Sequence, residues 1–121
     1  MSWQRGYRGL EIEAVGGVTV VKFRDREILS DEAVQALGQQ LLGLAAGSGP
    51  CQLLLDFGNV ERLSSAVLGQ VVALERAVRR AGGKLVLCGV RPDLADVLII
   101  TRLDKYLDLY PSEEEALQSL L

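Results

Sequence analysis

The sequence predicts an α/β fold in which a mixed β-sheet of about five strands carries about four helices. Three observations indicate this class. A hairpin pattern lies near the N-terminus, short apolar runs then alternate with helical periods, and the 121 residues are 49% apolar and 24% charged. A chain of this length can bury one core, so we expect residues 1–121 to form a single domain in which residues 1–8 are loosely ordered.

The first predicted element is a hairpin. Residues 10–14 alternate apolar and charged side chains, which is typical of a strand with one solvated face. Residues 18–23 are rich in β-branched side chains, and Gly16-Gly17 between the two runs favours a tight turn. We therefore expect these two strands to pair antiparallel.

A helix is predicted after a charged crossover at residues 24–27. Ser30 is a favourable N-cap, and the two acidic residues that follow it stand where the helix dipole stabilises negative charge. Apolar residues recur at helical spacing to about Ala46, and the Gly-Ser-Gly-Pro run at 47–50 then ends the helix.

The centre of the chain is predicted to be a strand–turn–helix unit. Residues 52–57 are an apolar run typical of a parallel strand buried on both faces. Gly58 and Asn59 tolerate positive φ, so the chain can turn there at little cost. Ser64 then stands as the N-cap of a helix from Ser65, and we expect its hydroxyl to accept a hydrogen bond from the first turn.

The helix after Ser65 has an apolar and a charged side. Its apolar residues are spaced by four, three and four positions, which is the period of an α-helix. We expect the charged side to be solvated rather than to dock a partner. The two sides consist of Val67, Val71, Leu74 and Val78, and of Glu75, Arg76, Arg79 and Arg80, respectively.

Two more strand–helix units complete the chain. Glycines 82 and 83 end the long helix, and residues 84–88 form a short apolar strand. Pro92 opens a short helix, and the alternation at 106–110 predicts an edge strand. Ser112, with a glutamate three residues later, has the capping-box spacing for a final helix.

Composition argues against several functions. The net charge of −3, without a clustered basic patch, gives no support for nucleic-acid binding. We expect a cytoplasmic protein without membrane insertion, because no apolar run approaches the ~20 residues of a spanning helix and no signal-peptide core is present. Cys51 and Cys88 lie beside strand-like runs and are expected to be buried thiols.

Catalysis is equally unsupported by the residue inventory. The chain contains no histidine, which removes Ser-His-Asp and Cys-His machinery and the usual imidazole ligands of zinc. No metal-ligand cluster or phosphate-cradling glycine loop is present, so we expect neither a metal nor another cofactor, and no enzyme activity. A Ser-Lys dyad stays open, although the lysines are distant from the serines in sequence.

Several short segments, none of which is specific alone, become informative through their order and spacing. They are Leu-Leu-Leu-Asp at 53–56 leading to Leu-Ser-Ser at 63–65, Ala-Gly-Gly-Lys-Leu-Val-Leu at 81–87, Val-Arg-Pro at 90–92 with Ile-Thr-Arg-Leu-Asp at 100–104, and Pro-Ser-Glu-Glu-Glu-Ala-Leu at 111–117. Together with the order of elements, they resemble the STAS domain of bacterial anti-sigma factor antagonists from about residue 10 to 121.

The resemblance implies a phosphorylation site. The usual family signature is Asp-Ser-Ser-Gly or Asp-Ser-Thr-Gly at a helix start, where a kinase that is also the anti-sigma factor phosphorylates the serine after the Asp. In this sequence that serine is Ser64, with Ser65 as the less favoured neighbour. The family Asp falls on Leu63, and two family glycines fall on Ala66 and Leu68.

The resemblance also implies the function and partners. The protein would be a non-enzymatic antagonist that sequesters an anti-sigma kinase while Ser64 is unmodified, and a phosphatase would be a second partner. The expected partner-binding residues surround the serine turn. They are Asp56, Asn59, Leu63, Ser65, Ala66, Gly69 and Gln70.

Two alternatives to the switch stay open. Turn chemistry alone favours serines that only cap a helix, and it favours Asp56 as a hydrogen-bond acceptor that fixes the loop rather than as a metal ligand. The apolar Leu63, Ala66 and Leu68 motivate the other alternative. In that case the domain is a constitutive scaffold, or a subunit of a larger signalling or lipid-transport complex, and has no serine switch.

Overall fold

The computed structural model describes residues 9–45, 51–102, 105 and 107–121. The predicted helix stop at 47–50 and the N-terminal residues 1–8 lie outside this description. The elements in chain order are β1 (Leu10–Val15), β2 (Val18–Phe23), β3 (Glu27–Ile28), α1 (Asp31–Ala45), β4 (Gln52–Asp56), β5 (Arg62–Leu63), α2 (Ser65–Arg80), β6 (Lys84–Cys88), α3 (Pro92–Ile100), β7 (Asp108–Tyr110) and α4 (Glu113–Leu120).

Five of these strands form one mixed sheet in the order β1-β2-β4-β6-β7. β1 and β2 are an antiparallel hairpin, and the turn residues Gly16 and Gly17 have φ of 58° and 85° as a tight hairpin turn requires. β2, β4, β6 and β7 are mutually parallel neighbours, and β7 is an edge strand. The predicted fold class, a mixed sheet of five strands with four helices, is confirmed in the described residues.

A second, two-stranded sheet was not predicted. β3 pairs parallel with β5, with Glu27 opposite Arg62 and Ile28 opposite Leu63. The interpretation of residues 24–27 as a plain charged crossover therefore missed a structural role. Strands of two residues have no periodicity that a sequence pattern could reveal, because alternation needs at least four.

The sheet is covered on both faces. Helices α1, α2 and α3 lie on one face and α4 on the other, so β4 and β6 are buried on both sides, as their apolar runs predict. Most of the core lies on the first face. On the other face, Ala116 of α4 packs on the buried sheet residues Val18, Val20, Leu54, Val86 and Cys88. In the described part of the chain, no helix is long and apolar enough to cross a membrane.

One residue of α2 lies on the opposite side from the one predicted. Glu75 was expected on the solvated side, but only 6% of it is exposed. It follows Val71 by four residues, so it shares the flank of the buried stripe rather than the outer face. Its carboxylate is 2.9 Å from the guanidinium of Arg79, which stays exposed. The ion pair explains how the charge is tolerated there.

Cys88 is a buried thiol, as predicted, and its ionisation is suppressed. Only 1% of the residue is exposed. Burial is the main cause that raises its pKa to about 12, and the neighbouring carboxylates of Asp56 and Glu113 act in the same direction. Cys51 is half-buried, and burial raises its pKa as well.

We expect Cys88 to make the protein less stable at high pH. The thiol ionises near its ordinary pKa in the unfolded chain but keeps its proton to about 12 in the folded chain. The unfolded state therefore binds fewer protons above about pH 9, and the free energy of unfolding falls by at most ~1.4 kcal/mol per pH unit. Urea denaturation at several pH values measures this slope. Cys88→Ala should reduce it, and an unchanged slope would contradict the assignment.

Candidate functional site

The candidate site lies where the central parallel strands end. β4 and β6 end in register at Asp56 and Cys88, and Lys22, one residue before the end of β2, lies beside Asp56. The loop that follows β4 runs along this edge and leads through β5 into α2. The carboxyl edge of a parallel sheet is where open α/β folds bind their ligands, because several loops converge there.

Asp56 organises the loop directly after β4. Its Oδ1 accepts a 2.8 Å hydrogen bond from the N–H of Gly58, and the N–H of Val60 donates to the carbonyl of Phe57 at 2.9 Å. Asp56 is thus a loop-fixing acceptor, as predicted. The predicted turn is present, but neither Gly58 nor Asn59 has positive φ. A turn closed by an aspartate side chain and an i-to-i+3 bond does not require it.

The start of the loop is also attached to both neighbouring strands. The N–H of Phe57 donates to the carbonyl of Cys88 at 2.9 Å, and Asn59 Nδ2 donates to the carbonyl of Phe23 at 3.3 Å. The rings of Phe23 and Phe57 stack with centroids 4.5 Å apart. The predicted partner-binding residues Asp56 and Asn59 therefore both make intramolecular hydrogen bonds, Asp56 within the loop and Asn59 to the end of β2.

Gly89 packs against this turn. Its φ is +69°, and a Cβ at this position would lie 2.9 Å from the backbone nitrogen of Gly58. Only glycine combines the left-handed backbone with such a close approach. The end of β6 can therefore pack directly against residues 57–64, which we call the serine loop.

The end of the loop is held by the crossover between β2 and α1. The carbonyl of Arg26 accepts hydrogen bonds from the N–H groups of Glu61 at 2.8 Å and Arg62 at 3.0 Å. The carbonyl of Ile28 accepts from the N–H of Ser64 at 3.0 Å. The backbone just before α2 is thus fixed by a segment more than thirty residues earlier in the chain.

Ser64 is the N-cap residue of α2, but its hydroxyl does not cap the helix. Its backbone is extended, with φ −78° and ψ 157°, and no side-chain capping bond forms, so the predicted hydroxyl cap is wrong. The N–H of Val67 bonds to the Ser64 carbonyl instead, at 3.0 Å. Ser64 Oγ exposes less than 1 Å² and has no hydrogen-bond partner among the residues that the structure describes.

A comparison within the chain shows that this state of Ser64 is unusual. Ser112 is the N-cap of α4, and its Oγ accepts a 3.2 Å hydrogen bond from the N–H of Glu115, as the capping-box spacing predicts. Ser64 is also extended, with a similar ψ (157° against 160°) but a different φ (−78° against −135°), and it lacks that bond. A buried hydroxyl without a partner is destabilising by about 1–3 kcal/mol, so it requires an explanation.

The residues around the serine pair differ in accessibility. Ser65, Ala66 and Gly69 are exposed, whereas Leu63 and Gln70 are half-buried. Gln70 lies against α1, because a Cβ on Gly38 would overlap its side chain. The exposed surface at the start of α2 therefore consists of small side chains.

Leu68 points away from this surface. The residue is buried and lines a small apolar hollow between the start of α2 and α3. Leu68 therefore fills interior space and does not contribute to the surface that a partner could contact. The hollow is lined by Phe57, Leu63, Leu68, Leu87, Val90, Leu94 and Leu98.

The positions of two lysines argue against a Ser-Lys dyad. Lys22 lies on the sheet face covered by α4, where its Nζ is 3.5 Å from Glu113 Oε1, and this carboxylate raises the pKa of Lys22. Lys84 begins β6, at the edge of the sheet opposite to the serine loop. Neither amine is placed to activate Ser64.

Comparison with known proteins gives a family match over most of the chain. The model of the STAS domain family matches residues 10–116. No curated protein matches the chain.

Solved structures agree with this match. An anti-sigma factor antagonist from Mycobacterium paratuberculosis is 29% identical, with 92% of each chain covered and a TM-score of 0.79. An anti-sigma factor antagonist (STAS) domain protein from Planctomyces limnophilus is 24% identical, with 92% of this chain and 97% of that chain covered and a TM-score of 0.83. The Bacillus cell-fate determinant SpoIIAA in its phosphorylated form is 18% identical, with 93% and 99% covered and a TM-score of 0.69. The latter two show the same fold.

The contact between Gly89 and the serine loop yields a prediction. Gly89→Ala should be destabilising by about 2–3 kcal/mol, because left-handed φ costs an alanine about 1 kcal/mol and the methyl group would press on Gly58. Gly17→Ala is the matched control, since Gly17 has φ +85° but open space around its Cβ position. Denaturant unfolding measures both. Equal losses would show that the close approach contributes nothing.

Proposed function

Because the chain belongs to the STAS domain family, we propose that it is a cytoplasmic regulatory module of the anti-sigma factor antagonist type. It binds an anti-sigma kinase rather than catalysing a reaction itself. One observation supports a regulated serine in particular. Ser64 and Ser65 begin α2 at the end of a loop whose backbone is fixed on both sides, beside the exposed small residues Ala66 and Gly69.

In the proposed switch the kinase phosphorylates Ser64. The γ-phosphoryl group of ATP is transferred to Ser64 Oγ, the P–O bond to ADP breaks, and the hydroxyl proton leaves. The phosphate adds a charge of about −1.5 to −2 and three strong acceptor oxygens. A phosphatase restores the hydroxyl by hydrolysis, which completes the cycle.

The fold is suited to survive this modification. The phosphate is too large for the enclosed position of Ser64 Oγ, so the side chain must turn outward. This movement removes a buried hydroxyl without a partner and places the anion at the N-terminus of α2, where free N–H groups and the helix dipole favour negative charge. The sheet and α4 need not change.

The partner therefore experiences most of the change. Ser65, Ala66 and Gly69 form a small-residue surface beside Ser64 that lets another protein approach closely. The phosphate would repel a docked carboxylate. Against a docked apolar side chain, the phosphate would have to give up its hydration without compensation. A loss of ~3 kcal/mol in binding free energy lowers affinity about 100-fold, which is enough for a switch.

A constitutive scaffold is the second candidate, and the buried Ser64 hydroxyl favours it. In that case Ser64→Ala and Ser64→Asp leave partner binding intact, whereas a charge at Ala66 disrupts it. Ala73→Glu is the control for Ala66→Glu, because Ala73 is exposed further along the same helix. The partner would then belong to a larger signalling or lipid-transport assembly rather than to a kinase–phosphatase pair.

The test of the switch is a binding titration with the partner that co-purifies from the source cells. Ser64→Ala should bind as wild type, and Ser64→Asp should bind about 100-fold more weakly because its carboxylate introduces charge at the docking surface. Ser112→Asp is the matched control, since Ser112 is also an N-cap serine but lies on α4. Wild-type affinity of Ser64→Asp, together with no phosphate on Ser64 or Ser65 by mass spectrometry after incubation with kinase and ATP, would refute the switch.

A further inference from the structure

Two segments far apart in sequence form a clamp around the backbone of Ser64. We use the term for residues 26–28 together with residues 61–64. Three hydrogen bonds run from N–H groups of the later segment to carbonyls of the earlier one, and the one from Ser64 to Ile28 is 3.0 Å long. β3 and β5 are the paired parts of this clamp.

Two ion pairs span the same segments. Arg26 Nε is 3.7 Å from Glu61 Oε2, and Arg62 Nη1 is 3.3 Å from Glu27 Oε2. All four side chains are exposed, so each pair stabilises the closed clamp only weakly and is screened by salt.

The clamp is also short, with two residues per strand, and is separate from the five-stranded sheet. Both features make the contact between β3 and β5 weaker than the contacts within the main sheet. Ile28 is only 1% exposed and belongs to the main core, so β3 is anchored, and opening means a displacement of β5, whose Leu63 is half-buried.

We propose that the clamp controls access to Ser64. In the closed clamp the Ser64 N–H is bonded to the carbonyl of Ile28, and Ser64 Oγ is enclosed. Phosphoryl transfer needs the hydroxyl in line with the γ-phosphate, which requires the serine to project from the surface. Displacement of β5 from β3 breaks the bond between Ser64 and Ile28 and frees the Ser64 backbone for this. Ser65, which is already exposed, does not depend on the clamp.

The role in phosphorylation rests on the proposed function, but the access claim is testable without a kinase. Ser64→Cys is exposed to the neutral reagent N-ethylmaleimide, and the adduct is located by peptide mapping, which separates it from Cys51 and Cys88. Ser65→Cys is the reference. We expect Ser64→Cys to react at least ten-fold more slowly than Ser65→Cys.

Weakening the clamp should raise this rate. Combining Arg26→Gln and Arg62→Gln with each cysteine variant removes both ion pairs. We then expect about five-fold faster labelling of Ser64→Cys and an unchanged rate for Ser65→Cys. High salt should accelerate labelling similarly with the arginines present and not without them. Equal labelling rates at the two cysteines would overturn the proposal. So would a labelling rate of Ser64→Cys that changes neither with salt nor with the arginine substitutions.

Hydrogen exchange on the unmutated chain gives a second measurement that no substitution can disturb. The amides of Glu61, Arg62 and Ser64 should exchange together and faster than that of Leu54 in the central strand. If the Ser64 amide exchanged only by global unfolding, the proposal that the clamp opens would be refuted. If the clamp opened as described but no kinase modified Ser64, the phosphorylation switch would be refuted and the proposal that the clamp controls access would stand.

Discussion

The hydrogen bond from the N–H of Ser64 to the carbonyl of Ile28 is the constraint on which the site depends. It connects the residue before α2 to a crossover more than thirty residues earlier, and the bonds of Glu61 and Arg62 to Arg26 reinforce it. These contacts hold the segment from Glu61 to Ser64, which follows the buried Val60, against residues 26–28. With them, a short strand delivers the serine pair to one defined position at the carboxyl edge of the sheet.

This arrangement separates stability from signalling. The buried strands β4 and β6, with α4 on one face and the other helices on the opposite face, form an apolar core, and the serine pair lies at its margin, where Ser64 is half-buried and Ser65 is exposed. A charge added at the start of α2 therefore acts on the small pair β3 and β5 and on the surface around Ala66. Under the proposed function, a charge at this position would change partner affinity while the core stays intact.

The sequence was sufficient for everything that long periodic patterns encode. It predicted the hairpin, the parallel strands, the four helices and the position of Asp56 as a loop-fixing acceptor. It missed the pair β3–β5, because two residues carry no period, and it misplaced Glu75, whose burial depends on how α2 packs on its flank. It also predicted a hydroxyl cap at Ser64, since a propensity cannot reveal which way a side chain turns when a neighbouring segment fixes the backbone.

The most direct measurement uses the modified protein itself. A chain with phosphoserine incorporated at position 64 would be compared with the unmodified chain for its free energy of unfolding and its affinity for the co-purified partner. The account predicts unfolding free energies within about 1 kcal/mol of each other and an affinity about 100-fold lower for the phosphorylated chain. A phosphorylated chain that unfolds, or one that binds its partner as tightly as before, would contradict it.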